Sequence, residues 1–109
     1  MGLFSRKKPE KSEGQSRRSQ HAAQAATLKH FEGFVATKLG VESYFEPATP
    51  REQAALLLVA RDGEWTRRRV PDAAAGAQLA NTLGIPFYEV VKTGYPDSMR
   101  QWNLRQQGR

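Results

Sequence analysis

The four residues Leu83-Gly84-Ile85-Pro86 constrain the fold of this chain more tightly than any others. Glycine enters left-handed backbone at little cost and so closes a helix, the apolar residue after it folds back onto the last turn, and proline blocks any continuation. A helix therefore ends at Leu83. Its start is marked by Pro71-Asp72, with Asp72 as N-cap, and Leu79 and Leu83 lie four apart on its inward stripe. The alanines between them let the helix pack close to a sheet. β-forming segments stand on either side, at residues 65–70 and 87–91, so 65–91 is predicted to be a β-α-β unit with parallel strands and a right-handed crossover.

Upstream of that unit, Asp62-Gly63 supplies the positive-φ position of a tight hairpin turn. The run from Ala54 to Ala60 before it has no polar break, and Thr49-Pro50-Arg51-Glu52 has the spacing of a helix capping box with proline at N1. Helix and buried strand both fit residues 50–60; the hairpin turn favours a strand at 55–60. Its register stays open between two forms. A two-residue turn pairs Val59 with Thr66, and a three-residue turn with Gly63 as a bulge pairs Val59 with Trp65.

Before the hairpin, Ala25, Leu28, Phe31, Val35 and Leu39 recur at three- or four-residue steps, flanked by Phe34, which predicts an amphipathic helix from Ser19 as N-cap to Gly40 as C′ residue. Residues 41–46, Val-Glu-Ser-Tyr-Phe-Glu, read as a strand closed by Pro47. Asp97 is placed as the cap of a last short helix carrying Met99 and Trp102, with the end from Arg105 expected to fray. The fold class that results is α+β: a small mixed four-stranded sheet, made of a β-hairpin plus the β-α-β crossover, with helices packed on it.

Residues 1–18 are read as a disordered basic tail and 19–109 as a single α+β domain. The tail has only Leu3 and Phe4 as sizeable apolar groups, too little burial to offset the entropy of ordering. Residues 1–20 hold six basic side chains against two acidic ones, so +4 of the net +6 sits there and the rest of the chain is nearly neutral. A high isoelectric point is thus weak evidence for nucleic acid. No apolar run reaches the roughly 18–20 residues of a membrane span and the N-terminus lacks a signal-type apolar segment, so the protein is expected to be cytoplasmic.

With no cysteine, the inventory excludes disulfides, thiolate chemistry and cysteine-ligated metals. His21 and His30 are the only histidines, and their spacing matches no metal-ligand pattern. No phosphate-cradling glycine loop or G-x-S-x-G elbow is present, so no catalytic residue, metal or cofactor is assigned and a non-enzymatic role is expected. One enzyme-like pattern, Asp62 and Glu64 ahead of a strand carrying Glu89 and Lys92, is similar in residue type to nuclease metal sites. It fits poorly, because Glu89 and Lys92 would point to opposite strand faces.

Two sets of residues are candidates for binding. Trp65, Arg67 and Arg69 share one strand face, where an indole and two guanidiniums can stack on a base and grip phosphates; RNA, DNA or another polyanion is the implied partner. The competing reading is a solvated face with arginine stems over apolar sheet and Trp65 half buried. Arg68, on the opposite face, is expected to find an acidic neighbour. Lys7, Lys8, Arg17 and Arg18 extend the polyanion reading into the tail, and Leu3-Phe4 with its basic cluster can equally touch anionic lipid. Tyr88, Tyr95 and Trp102 form the second set, aromatic anchors for a protein partner or a second copy, set against simple core packing.

Gly63-Glu64-Trp65-Thr66-Arg67-Arg68-Arg69-Val70, Gly84-Ile85-Pro86-Phe87-Tyr88-Glu89-Val90 and Gly94-Tyr95-Pro96 with Met99-Arg100 and Asn103 together resemble a family of small uncharacterised actinobacterial proteins, over residues 41–105. Some members carry a loose oxidoreductase label, which nothing in these residues supports. The resemblance implies a bacterial cytoplasmic setting and transfers no functional residue.

Overall fold

The computed structural model describes residues 21–108. The tail with Lys7, Lys8, Arg17 and Arg18, and the Ser19 cap, lie outside the described residues. Helix α1 covers 21–37 and is followed by β1 (Glu42–Glu46), β2 (Ala55–Val59), β3 (Trp65–Arg69), α2 (Ala73–Leu83), β4 (Phe87–Glu89), a short α3 (Val90–Thr93) and α4 (Asp97–Gln107). The expected α+β fold with a mixed four-stranded sheet is what forms, in the order β3-β2-β1-β4.

β1 pairs antiparallel with β2, β2 antiparallel with β3, and β1 parallel with β4. The strands that flank α2 therefore run in the same direction but stand at opposite edges of the sheet. The crossover passes β2 and β1 before β4 settles beside β1. Asp72 caps α2 by accepting from the Ala75 N–H at 2.9 Å. At the far end Gly84 has φ of 71°, its N–H donates to Asn81 O, and the Ile85 N–H donates to Ala80 O at 3.0 Å. This double closure is the helix stop foreseen at Gly84-Ile85-Pro86.

The helix-or-strand question at 50–60 resolves as the strand. Thr49 Oγ1 does accept from the Glu52 N–H at 3.0 Å, as a capping residue would, but the turn goes no further and the chain enters β2. Every residue of β2 is buried, because Leu56 and Leu58 face one helical layer while Leu57 and Val59 face the other. A strand covered on both faces carries no polar alternation, and that left its periodicity unreadable. In the hairpin, Val59 pairs with Trp65, Ala60 N–H donates to Glu64 O at 2.8 Å and Gly63 has φ of 93°, which is the three-residue bulged form.

Helices cover both faces. Phe31, Phe34 and Val35 of α1 and Leu79 and Leu83 of α2 pack with Phe45, Leu56, Leu58 and Phe87 on one side. On the other, Met99 of α4 meets Tyr44, Leu57 and Val59, with Trp65 and Val90 at its margin. Gly76 brings α2 down onto the sheet: a Cβ there would lie 3.3 Å from Phe87 and 3.4 Å from Leu56.

Four expectations need correction. Leu39 does not continue the α1 stripe; the helix has ended at 37, Leu39 is 73% exposed, and its carbonyl instead accepts from the Arg61 N–H. The last strand is shorter than 87–91, because the chain turns into α3 at Val90 and leaves Val91 out of the sheet. Asp97 lies inside α4 rather than capping it; Pro96 is the cap residue and Asp97 sits near Arg100 in the first turn. The C-terminus does not fray from Arg105, since α4 continues to Gln107 and Arg105 donates to Asp62 O at 2.9 Å, tying the helix to the hairpin tip.

Candidate interaction face

Strand alternation puts Trp65, Arg67 and Arg69 on the α4 side of the sheet. In the same layer lie Leu57, Tyr44 and Tyr88, which are cross-strand neighbours of Arg67 in successive strands. The two candidate sets thus meet on one face of the sheet.

Most of the set on β3 is engaged within the protein. Trp65 is half buried beside Val59 and Met99, and its indole N–H donates to Asn103 Oδ1 of α4 at 2.8 Å. Arg67 Nε donates to Glu46 Oε1 at 2.8 Å, and its Nη2 lies 3.5 Å from Gln53 O and 3.9 Å from Glu52 Oε2. Glu46 is opposite Ala55, and Ala55 is opposite Arg69, so Arg67 reaches diagonally across β2 to make this bond. The Ala55 methyl is the only side chain between them on that row, and its small size leaves the path open. Hydrogen bonding to Glu46, then the attraction of its charge, holds the Arg67 proton above the ordinary guanidinium value despite partial burial.

Tyr95 donates to the second Glu46 oxygen, Oε2. Burial first, and the bond to Glu46 second, push the Tyr95 phenol up to about 12. Tyr44 donates to Glu42 Oε1 at 2.9 Å, and its phenol is raised for the same two reasons in the same order. Its ring stacks on Tyr88 with centroids 5.3 Å apart and planes 29° from parallel.

The side chains that remain open are of a different kind. Tyr88 is 37% exposed, Tyr95 41% and Val91 68%, all from the β4–α3 segment and the loop after it. Trp102, the third expected anchor, is half buried against the hairpin tip: a Cβ on Gly63 would fall 2.8 Å from Trp102 Cβ and 2.0 Å from Ser98 O. Arg68 and Arg69 at the end of β3 are exposed. Arg68 finds a histidine instead of the expected acidic residue, with its guanidinium 3.2 Å from His30 Nδ1.

An arginine can only donate, so His30 Nδ1 is the acceptor, and His30 Nε2–H donates to Thr66 Oγ1 at 2.6 Å. Burial and then the Arg68 charge lower the His30 pKa below its usual 6.5. The ring is a neutral link between α1 and β3. The acidic-plus-lysine pattern does not assemble: Asp62 and Glu64 face Lys38, whereas Glu89 pairs with Lys92 at 3.2 Å across the first turn of α3. Among the described residues no group of three His, Asp or Glu side chains is placed to hold a metal ion, and no helix is long and apolar enough to cross a membrane.

Sequence reasoning had no hold on Glu46, Asn103 or Val91. Glu46 looked like the polar end of a strand, and only the strand order brings it within reach of Arg67. Val91 reads as part of a strand over 87–91, and the strand stops before it. The arrangement defines a class, a mixed four-stranded sheet between two helical layers with a tyrosine-bearing edge. No protein-family model matches the chain, and no curated protein or solved structure matches it either.

Proposed function

We propose that the protein is a non-enzymatic interaction module that binds a protein partner through the Tyr88–Val91–Tyr95 edge. The observation that carries this reading is the exposure of three large apolar side chains within one short segment, at 37%, 68% and 41%, beside a rigid Tyr44–Tyr88 stack. Tyrosines held by stacking and by a carboxylate lose little conformational freedom on binding, and such residues are favoured as interface anchors. The segment also lies at the sheet edge where β4 is only three residues long, so side chains rather than an open strand edge present the surface.

The test is capture of partners on immobilised full-length protein at low and at high salt, beside Val91→Asp and Tyr88→Ser variants, with sedimentation to read self-association. An apolar interface survives salt that strips phosphate-held partners, because about 1 M salt screens charges beyond roughly 3 Å. Equal capture, or equal self-association, by the variants would refute the reading.

A second reading, contact with RNA, DNA or another polyanion in the cytoplasm, draws on the exposed Arg68 and Arg69 and on the +4 charge of residues 1–20. Trp65 and Arg67 support it less than their sequence positions suggested, since one serves Asn103 and the other Glu46. This reading expects salt-sensitive binding that falls sharply when the first 18 residues are deleted, and unchanged binding after that deletion would refute it.

A further inference from the structure

We infer that the outer edge of β3 is a docking site for an acidic peptide, which adds to the sheet as a further strand. The sheet order leaves β3 at one edge, paired with β2 on one side only. In the β2–β3 ladder the Ala60 N–H donates to Glu64 O and the Val70 N–H donates to Ala54 O, so the even-numbered residues of β3 turn their backbone groups toward β2. The N–H and C=O groups of Trp65, Arg67 and Arg69 therefore point away from the sheet. Among the described residues no backbone group pairs with them. Such a row of outward donors and acceptors is the template on which an extended peptide forms a new strand. The opposite edge offers less of one, because β4 is only three residues long.

Charge selects the occupant. Arg68 and Arg69 are exposed, and among the described residues neither is paired with a carboxylate. Being consecutive, they place one guanidinium on each face of the sheet beside the open edge. A peptide strand with two adjacent acidic residues also projects one to each face, so each carboxylate meets an arginine across the new strand pair. A second copy of β3 fits badly: antiparallel pairing over its full length sets Arg67 against itself and crowds the arginines of both strands along one seam. Residues 1–20 are equally unsuited by charge, with six basic side chains against two acidic ones. The β3 edge and the tyrosine-bearing edge lie on opposite sides of the sheet, so this inference stands independently of the proposed partner.

The probe is the acetylated and amidated peptide Val-Glu-Glu-Val-Thr-Val, followed by amide shifts and hydrogen exchange of the full-length protein. Three controls accompany it: the same peptide with lysine for glutamate, the same peptide N-methylated at alternate residues, and oligothymidylate. Without peptide, the amides of Trp65, Arg67 and Arg69 should exchange faster than those of Thr66 and Arg68. With free peptide at about ten times its Kd, the first three should slow by about ten-fold, as the unoccupied fraction dictates. Arg68→Gln combined with Arg69→Gln, both at exposed positions, should weaken the peptide by about ten-fold, the scale of two exposed charge pairs. Arg69→Pro removes an outward N–H and no ladder bond, so it should weaken the peptide more than Arg69→Gln does. Val91→Asp should leave the peptide's binding unchanged. Absence of saturable binding, equal binding of the lysine or N-methylated peptide, protection of these amides by self-association without peptide, or tighter binding of oligothymidylate at the same amides would each overturn the inference.

Discussion

Arg67 and Tyr95 hold the two oxygens of one carboxylate: Arg67 Nε donates to Glu46 Oε1 at 2.8 Å and the Tyr95 hydroxyl donates to Oε2. Glu46 thereby joins the edge strand β3 to the loop that precedes α4. Glu46→Ala should cost about 1–2 kcal/mol of stability, the scale of hydrogen bonds to a charged group discounted for partial exposure. Urea denaturation measures it, and the same variant should move the Tyr95 titration from about 12 back toward 10.

Alkaline stability follows from the same tyrosine. The folded state holds the Tyr95 proton more tightly than the unfolded chain, with about 12 against 10, so its contribution is complete below pH 10 and is lost as the pH rises toward 12. Thermal melts across that range should show a falling midpoint, less steep in Tyr95→Phe.

His30 sets an acid-side dependence of opposite form. Its pKa is lowered from 6.5 on folding, so below about that value the unfolded chain binds more protons and stability falls as the pH drops. Protonation also removes the Nδ1 acceptor that faces Arg68. His30→Gln should flatten the fall in the melting midpoint below pH 6.5, and proton NMR of the ring gives the pKa directly.

Gly63→Ala should be among the most damaging single changes in the chain. The residue has φ of 93°, and its added Cβ would lie 2.0 Å from the Ser98 carbonyl oxygen, so the hairpin and α4 must separate. We expect a loss of about 2–4 kcal/mol, combining left-handed strain with overpacking. Hydrogen exchange should rise first in α4.

Leu57→Ala leaves a cavity under Tyr44 and Met99 and should cost about 2–5 kcal/mol by chemical denaturation, as buried leucine truncations do. Trp65→Phe keeps most of the apolar area and should cost only about 1 kcal/mol, the bond to Asn103.

Local signals in the chain were legible where one residue type has one physical use. Asp72 and Gly84 bracket α2 as their cap preferences require, and Asp62-Gly63 makes the hairpin. Strand order was not legible, because nothing in residues 65–91 says that the crossover passes over two strands before β4 pairs with β1. The candidate site depends on that order. The WTRRR strand read as a free basic face only because Glu46, far away in sequence, and Asn103, on a helix with no fixed position, were invisible as its partners. Val91 goes unnoticed for a local reason: Val90 and Val91, both of β-forming type, do not reveal that the chain turns into α3 instead of extending.

Binding at the tyrosine-bearing edge is read by capture of proteins from a cell lysate on the full-length chain at about 1 M salt, where charge-held contacts are screened. A defined partner should be retained by the wild-type protein and lost by a folded Val91→Asp variant. Retention of the same partner by Val91→Asp, or its release from the wild type by salt alone, would contradict it.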